Sequence, residues 1–293
     1  PPLVDPAAAA SVDLIQIGEV QPRSRPEPDT GEEPSVETEA RPFRGLLPRT
    51  ADRLLVATSV AVSVMQAPGQ IFTDSRSDLT ANPSMFLQRV TEVWSSTYDF
   101  GHVQSGQFVG YLFPMAPFYA GGNALGIPMW IVQRAWLALI LIAAALGVSR
   151  LMGALWERSD GFARLLAGLV FILNPYVVTQ VNRGTVSLLA YAVLPWLLYA
   201  AHRALLEPRG WRWPVIGGLL VAVGGGGVNA AVLLWVILAP MTLIAYEVGV
   251  IGRSRRAAWS ALWRTGVCVA GLSLWWVIPV GLQSKFGADF MSF

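Results

Sequence analysis

Seven long apolar segments dominate the amino-acid sequence and constrain what the chain can fold into. A helix that crosses the hydrocarbon core of a bilayer, about 30 Å thick, needs about 20 apolar residues because it rises about 1.5 Å per residue. Of all residues, 54% are hydrophobic and only 14% are charged, which is atypical of soluble globular domains. The sequence therefore predicts an all-α, polytopic transmembrane helix bundle. Its predicted spans cover residues 52–72, 128–151, 162–180, 185–206, 212–226, 229–250 and 262–282.

The fifth segment is the shortest, so residues 212–250 could form either one long broken helix or two spans joined at "GGGGVN". Loop charge decides between them, because cytoplasmic loops carry the excess of Lys and Arg. Loops 150–164, 203–212 and 251–264 together hold ten arginines, whereas the alternate loops hold only Arg76, Arg89, Arg183 and Lys285. All three basic loops are therefore predicted to be cytoplasmic, and "GGGGVN" becomes a tight outer turn. Residues 73–127, residues 181–184 and the residues after about 283 are then predicted to lie on the outer face of the membrane.

Residues 1–50 differ from the rest of the chain. They hold nine acids and five arginines, and they are rich in Pro, Glu and Ala, a composition that buries too little apolar surface to offset the entropy of ordering. We expect a disordered cytoplasmic tail before a membrane module at residues 51–293, in a multi-pass protein of the plasma membrane. The run "SVDLIQIGEV" could dock a cytoplasmic partner, although such an isolated alternation is more often unfolded. We expect the chain to be a piece of a longer protein.

The predicted outer loop at residues 73–127 is the only long one, and long ordered loops are usually functional. Its stretch "PSMFLQRVTEVWSST" (83–97) places apolar residues at three-to-four spacing, the pattern of an amphipathic helix in the membrane interface. The following "GQFVGYLFPMAPFYAGG" (106–122) is apolar but interrupted by prolines and glycines. It favours a re-entrant or surface-lying segment that walls a cavity.

Two carboxylates, Asp74 and Asp78, lie in "FTDSRSDLTANP" (72–83), where the first apolar segment ends. They could be solvated residues that cap a helix, as surface acids often are. Acids at the bilayer boundary beside a long amphipathic loop are more often functional. The residue type permits a general base, a metal ligand or an ion relay.

Four other polar side chains are candidates for binding an anionic group such as a phosphate. Arg134 lies inside the second predicted span, where an arginine needs a partner, a phosphate or a path to the surface. Arg183, Arg76 and His102 lie in the predicted outer loops, where an ordinary surface role is the alternative. Glu247 is predicted to form a surface ion pair with the arginines that follow it.

Several function classes lack support in the sequence. It contains no P-loop, no GxGxxG, no zinc-type histidine spacing and no Ser/His/Asp constellation, so nucleotide chemistry is not indicated. Its one cysteine, Cys268, cannot build a disulfide framework. Basic residues follow the predicted cytoplasmic face with few interleaved aromatics, so nucleic-acid binding is not indicated either.

Four motifs occur in an order that resembles a known family: "DSRSDLTANPSMFLQR", "GYLFP", "WIVQRAW" and "GGGGVNAA". From about residue 50 onward, the chain is similar to the membrane module of the alpha-(1→3)-arabinofuranosyltransferase D family, polytopic GT-C-type glycosyltransferases of the mycobacterial and corynebacterial cell wall. The resemblance implies a GT-C fold and a decaprenyl-phosphoryl arabinofuranose donor used outside the cytoplasm. The family's acidic site would fall on Asp74, with Asp78 beside it.

The implied function is an inverting transfer of arabinofuranose from a polyprenyl-phosphate donor to an arabinan or lipoglycan acceptor. Asp74 would act as the general base, and Arg134, Arg183 or Arg76 would stabilise the departing phosphate. A divalent cation (Mg²⁺, Mn²⁺ or Ca²⁺) bridging Asp74 and Asp78 is a further alternative, for which two acids are an incomplete ligand set. The rival interpretations are a transporter or flippase of lipid-linked sugars and a non-catalytic membrane scaffold.

Overall fold

The computed structural model of the protein describes residues 46–65, 68–72, 74, 76–96, 101–103, 106–181, 183–225 and 227–286. Within these ranges the chain is helical except for one short antiparallel ribbon of strands β1 (Trp94–Ser95) and β2 (His102–Val103). The prediction of an all-α bundle is confirmed. The helices are α1 (Pro48–Val64), α2 (Ser77–Ala81), α3 (Pro83–Val90), α4 (Gly106–Val109), α5 (Met115–Ala124), α6 (Met129–Leu155), α7 (Gly161–Ile172), α8 (Pro175–Gln180), α9 (Thr185–Leu206), α10 (Arg212–Val223), α11 (Ala230–Gly249) and α12 (Arg255–Phe286).

Four of the described helices, α6, α9, α11 and α12, are long and apolar enough to cross a membrane. Helix α1 has 17 residues, and α7 and α10 have 12 each. The predicted third span is divided into α7 and α8, because the Asn174 side chain caps α8 and Pro175 occupies its first turn. Whether the chain crosses seven times stays a prediction.

Residues 1–45, most of the predicted tail, lie outside the described residues. Helix α1 begins at Pro48, three residues before the predicted boundary at 51. Proline suits this position because an N–H in the first turn of a helix has no partner within the helix, so its absence in proline costs no hydrogen bond.

Helix α6 lies at the centre of the bundle, with α1, α7 and α9 packed around it. Leu137 and Leu141 of α6 are almost fully buried and belong to the same hydrophobic cluster as Leu55, Ile172 and Leu188. A helix enclosed on several sides needs apolar residues around most of its circumference, which explains why α6 lacks a polar stripe. Its position matters because its first two turns carry most of the side chains that organise the candidate site.

The first loop forms a layer of short helices. Helix α5 packs on α6, α3 packs on α5, and α4 contacts α12. The predicted helix 83–97 ends earlier than expected, at Val90, and Trp94 lies in β1 with 55% of its surface exposed. The helix ends where the chain turns at Thr91 and then pairs with β2. Residues 106–122 form α4, a turn and most of α5, consistent with a segment broken by glycine and proline.

The "GGGGVN" motif lies in the turn that separates α10 from α11. Gly225 has a φ of +79°, a conformation that favours glycine, and Asn229 caps α11 by accepting a hydrogen bond from Val232 N–H at 3.3 Å. The same turn contacts the first loop at Gly110. A Cβ on Gly110 would lie 2.3 Å from the Gly227 carbonyl carbon, so the two backbones touch because neither residue has a side chain.

Gly110→Ala is expected to destabilise the bundle, because the added methyl group would meet backbone that cannot rotate away. Overpacking of this kind costs about 1–3 kcal/mol, and the apparent midpoint of thermal unfolding in detergent should fall by several degrees. Gly121→Ala is the matched control, since nothing lies within 4 Å of a Cβ built on Gly121 of α5. Equal midpoints for the two variants would show that the Gly110–Gly227 contact does not support the fold.

Candidate active site

The segment that follows α1 contacts the first turns of α6 at Gln70 and Phe72. The Gln133 side-chain amide holds both backbone groups of Phe72: it accepts from the Phe72 N–H at 2.8 Å and donates to the Phe72 carbonyl at 3.0 Å. Gln133 is 1% exposed, so these bonds form in a water-poor environment where a lost partner is costly. The amide therefore fixes the position of the chain two residues before Asp74.

Arg134, the next residue of α6, is also buried, with 3% of its surface exposed. Its guanidinium donates to the Gln70 carbonyl at 3.2 Å and lies 4.0 Å from the centre of the Phe72 ring. Its side chain thus turns inward, not to the surface. The structure therefore brings Arg134 together with the segment that carries Asp74.

Asp74 is 6% exposed and lies at the start of α9. Its Oδ1 accepts a hydrogen bond from the Thr185 N–H at 3.0 Å, and its Oδ2 accepts one from the Thr185 hydroxyl. The N-cap residue of α9 is Gly184, which has no side chain to cap the helix. Asp74 takes over this task from 111 positions away, and the positive end of the helix dipole favours a negative group there. The interpretation of Asp74 as a solvated capping residue is therefore wrong, because Asp74 is buried and caps a helix that is distant in sequence.

Trp136 and Tyr119 complete the surroundings of this carboxylate. Trp136 of α6 donates from its indole N–H to the Thr185 hydroxyl oxygen at 3.3 Å. Tyr119 of α5 packs edge-on against Trp136, with ring centres 6.3 Å apart, and is fully buried. Burial above all, together with the nearby charge of Asp74, raises the pKa of the Tyr119 hydroxyl. The hydroxyl therefore stays protonated at physiological pH.

The other predicted site residues are arranged differently. Asp78 is half-buried at the start of α2, where its Oδ1 accepts from the Leu79 N–H at 3.2 Å, a local role. The Arg76 guanidinium lies 4.8 Å from the centre of the Phe108 ring. Arg183 is exposed, two residues before Thr185. His102 belongs to β2, and its side chain lies outside the described part of the structure. Within the described ranges, no group of three or more His, Cys, Asp or Glu residues could hold a metal ion, and the cation bridging Asp74 and Asp78 stays a prediction.

A second buried polar cluster lies at the opposite ends of α9 and α11. Glu247 is 4% exposed, so its prediction as a surface ion pair is wrong, although Arg253 is one of its partners at 3.0 Å. Its other oxygen contacts Nδ1 of His202, which is also buried. The pairing with His202 had no signal in the sequence, because the two residues lie 45 positions apart. The contact joins α9 and α11, whose packing encloses the carboxylate.

Thr185, Gln133 and Tyr119 are the residues of the Asp74 site that sequence reasoning missed. Threonine and glutamine carry no charge and lie within otherwise ordinary helical patterns. Tyr119 had a weak signal, as a hydroxyl in the apolar stretch "GYLFPMAPFYAGG".

Tyr119→Phe tests whether that hydroxyl is stabilising. Within the described residues the fully buried Tyr119 hydroxyl has no hydrogen-bond partner, and an unsatisfied buried hydroxyl costs about 1–3 kcal/mol. Because phenylalanine keeps the ring contacts with Trp136, we expect an equal or higher midpoint of thermal unfolding. A clear fall in the midpoint would mean that the hydroxyl has a structural partner.

Comparison with known proteins places this architecture in a family. A family model described as the N-terminal GT-C domain of alpha-(1->3)-arabinofuranosyltransferase matches residues 58–293. The chain is 33% identical over 242 residues to the alpha-(1->3)-arabinofuranosyltransferase of Mycolicibacterium smegmatis, a match that covers 82% of this chain and 16% of that relative. The relative of the same name from Mycobacterium tuberculosis is also 33% identical over 242 residues, with 81% and 17% covered.

A solved structure gives the same result for the fold. The cryo-EM structure of arabinofuranosyltransferase AftD from mycobacteria superimposes with a TM-score of 0.74 at 29% identity, covering 85% of this chain and 18% of that one. The chain thus spans less than a fifth of the length of the relatives that it matches. Because the family model covers most of the sequence, the chain belongs to the alpha-(1→3)-arabinofuranosyltransferase family, and residues 58–293 correspond to its N-terminal GT-C domain.

Proposed function

We propose that the whole protein transfers arabinofuranose from a polyprenyl-phosphate donor to a cell-wall arabinan or lipoglycan acceptor, with inversion at the sugar carbon. Asp74 is the general base that takes the proton of the acceptor hydroxyl. Family membership supports the reaction class. The single observation that carries the residue assignment is the Asp74 carboxylate, buried at the start of α9 and held there by Thr185.

The geometry favours Asp74 over Asp78 as the base. Thr185 holds both oxygens of Asp74, one through its N–H and the other through its hydroxyl, and no such pair of bonds to another helix is seen for Asp78 within the described residues. Because Gln133 and Arg134 immobilise the preceding residues, the carboxylate is already oriented before a substrate arrives, which lowers the entropic part of the barrier. Within the described residues, the Asp78 side chain bonds to the backbone of its own helix.

The departing phosphate needs a cation, and three arginines flank the Asp74 segment. Arg183 is exposed in the turn just before α9, where it could reach a phosphate at the membrane surface. Arg76 lies two residues beyond Asp74, and Arg134 packs on Phe72. We assign phosphate binding to Arg183 and Arg76, and positioning of the Asp74 segment to Arg134, while a phosphate-binding role of His102 stays a prediction.

A cavity of about 330 Å³ supports a lipid-linked donor. Leu112, Phe113 and Pro117 of the first loop form one wall, and residues of α10 and α12 form the other, including Ala222 and Trp275. The lining is apolar, which suits a prenyl chain. The loop segment that was expected to wall a cavity is thus one of its sides.

The distribution of charge supports an orientation with the Asp74 site outside the cytoplasm. Helices α6 and α9 both begin at the Asp74 end, and the arginine-rich loops follow their opposite ends. Arg264 of α12 joins this basic end by donating to the Pro208 carbonyl at 2.9 Å. Under the positive-inside rule the basic end faces the cytoplasm.

Asp74→Asn is expected to lower kcat for transfer from a polyprenyl-phosphoryl arabinofuranose to a short arabinan by about 10²- to 10⁴-fold, the usual contribution of a general base. Asparagine is as good a helix cap as aspartate, so the variant should fold and still bind the donor. Turnover, donor affinity and the unfolding midpoint are measured on the whole protein at matched expression.

Asp78→Asn provides the comparison, and less than a tenfold loss is expected because the Asp78 bond is local. Undiminished turnover in Asp74→Asn would remove this carboxylate from the mechanism. Absence of transfer by the unaltered protein would favour a transporter or a scaffold instead.

Ala222→Phe is expected to raise the KM for a long-chain donor about tenfold or more, because the new ring fills the cavity where we place the prenyl chain. The KM for a soluble donor analogue with a short chain should be unchanged. Ala270→Phe, on the exposed face of α12, is the matched control and should leave both KM values unchanged. A rise in KM that does not depend on chain length would contradict the assignment of the cavity.

A further inference from the structure

A second cavity, of about 300 Å³, lies toward the basic end of the bundle between α9, α10, α11 and α12. Small residues of α9 and α12, including Ala204 and Ala261, form its floor, and Met241 and Ile244 of α11 form a wall. Nearly all the lining atoms are apolar. Asp74 lies at the start of α9 and Ala204 near its end, so this cavity is separate from the candidate active site.

The cavity opens sideways toward the position of the bilayer. Helix α11 packs mainly on α9 and helix α12 mainly on α10, which leaves a cleft between α11 and α12. Met241 and Gly266, one on each side of this cleft, are both exposed. An apolar cleft that faces the hydrocarbon region can take an acyl chain without exposing it to water.

One edge of the cavity carries positive charge. Trp213 lines the cavity, and the Arg212 and Arg203 guanidinium carbons lie 4.9 Å and 5.3 Å from the centre of one of its rings. Arg203 is neutralised by Glu207 at 2.6 Å. Arg212 is exposed and forms no ion pair within the described residues. The Trp213 indole N–H above all, together with the charges of Arg203 and Arg212, lowers the pKa of the Glu207 carboxyl. Two arginines beside one carboxylate leave a net positive charge at this edge.

The edge is also held in place. Ser260 and Arg264 of α12 both donate to the Pro208 carbonyl, at 2.7 Å and 2.9 Å, and so tie α12 to the α9–α10 loop. On the other side, Glu247 of α11 contacts His202 of α9. A cavity whose walls are fixed before binding loses little entropy when a ligand enters.

We propose that this cleft binds an anionic glycerophospholipid, with one acyl chain in the cavity and the phosphate on Arg212. The apolar lining and sideways opening fit the chain of a membrane lipid, and the net positive charge at the edge, with Arg212 exposed, fits its phosphate. The loop that carries Arg212 is strongly basic, and a basic residue at an anionic membrane surface contributes affinity through its charge. A zwitterionic lipid would place a second, positive group beside the same arginines, so the anionic lipid is favoured.

Native mass spectrometry of the whole protein tests the proposal, with phosphatidylglycerol and phosphatidylcholine of equal chain length as probes. We expect retention of phosphatidylglycerol, and about fivefold weaker binding after Arg212→Gln with little change for phosphatidylcholine. Arg256→Gln is the matched control, because Arg256 is exposed at the same end of the bundle but does not line the cavity. Equal effects of the two substitutions would overturn the assignment of the phosphate to Arg212.

Gly266→Leu tests the chain site. Nothing lies within 4 Å of a Cβ built on Gly266, so the substitution should fold and obstruct the mouth of the cleft, lowering retention of phosphatidylglycerol at least tenfold. Gly271→Leu, in the same helix and equally unobstructed, should bind as the unaltered protein does. Unchanged binding in Gly266→Leu would overturn the proposal. The proposal would also be overturned if the whole protein retained neither lipid, which is the result expected if another helix of the longer chain fills the cleft. A preference for polyprenyl phosphate in competition with phosphatidylglycerol would overturn it as well.

Discussion

The hydrogen bonds between Asp74 and Thr185 are the contact around which the rest of the site is organised. Helix α9 begins inside the protein after Gly184, which has no side chain to cap it, and the first N–H groups of a helix have no partner within the helix. Asp74 supplies the acceptor, and the amide of Gln133 holds the chain that delivers it. Burying a carboxylate is costly unless it is paired and hydrogen-bonded. The same bonds that satisfy this requirement fix the orientation of the carboxylate that we propose as the general base.

The bundle divides its polar chemistry between two ends. At one end, Asp74 and Arg134 are buried against α6 and α9, close to the short helices of the first loop. At the other, Glu247 contacts His202 and Arg253, and Asp52 pairs with Arg150 at 3.2 Å. Apolar helix faces occupy the middle, because unpaired charges are expensive in a bilayer. The cavity toward the basic end combines an apolar body with a charged edge, the arrangement that a lipid carrying a phosphate would need.

Several features were predictable from local sequence, and several were not. The motif "DSRSDLTANP" directed attention to the segment whose Asp74 is buried at the start of α9, and "GGGGVN" lies in a turn between two helices. Asp74 and Asp78 could not be separated, however, since both are acids in the same short motif. Contact with Thr185 distinguishes them. Likewise, Glu247 was predicted to lie at the surface, but it is buried and contacts His202. The helix that begins at Pro83 ends earlier than predicted, because Trp94 pairs with β2 instead of continuing the helical pattern.

The sequence by itself determined the membrane environment, the helical class, the basic end and the position of the turns, because these depend on composition and on interactions between near neighbours. The tertiary structure decided which acid is buried, which side chains hold it and where cavities form. Those outcomes depend on contacts between residues separated by tens to more than a hundred positions, such as Asp74 with Thr185 and Gly110 with Gly227. Hydrophobic periodicity reports which face of a helix is apolar, but it does not report which helix that face will meet.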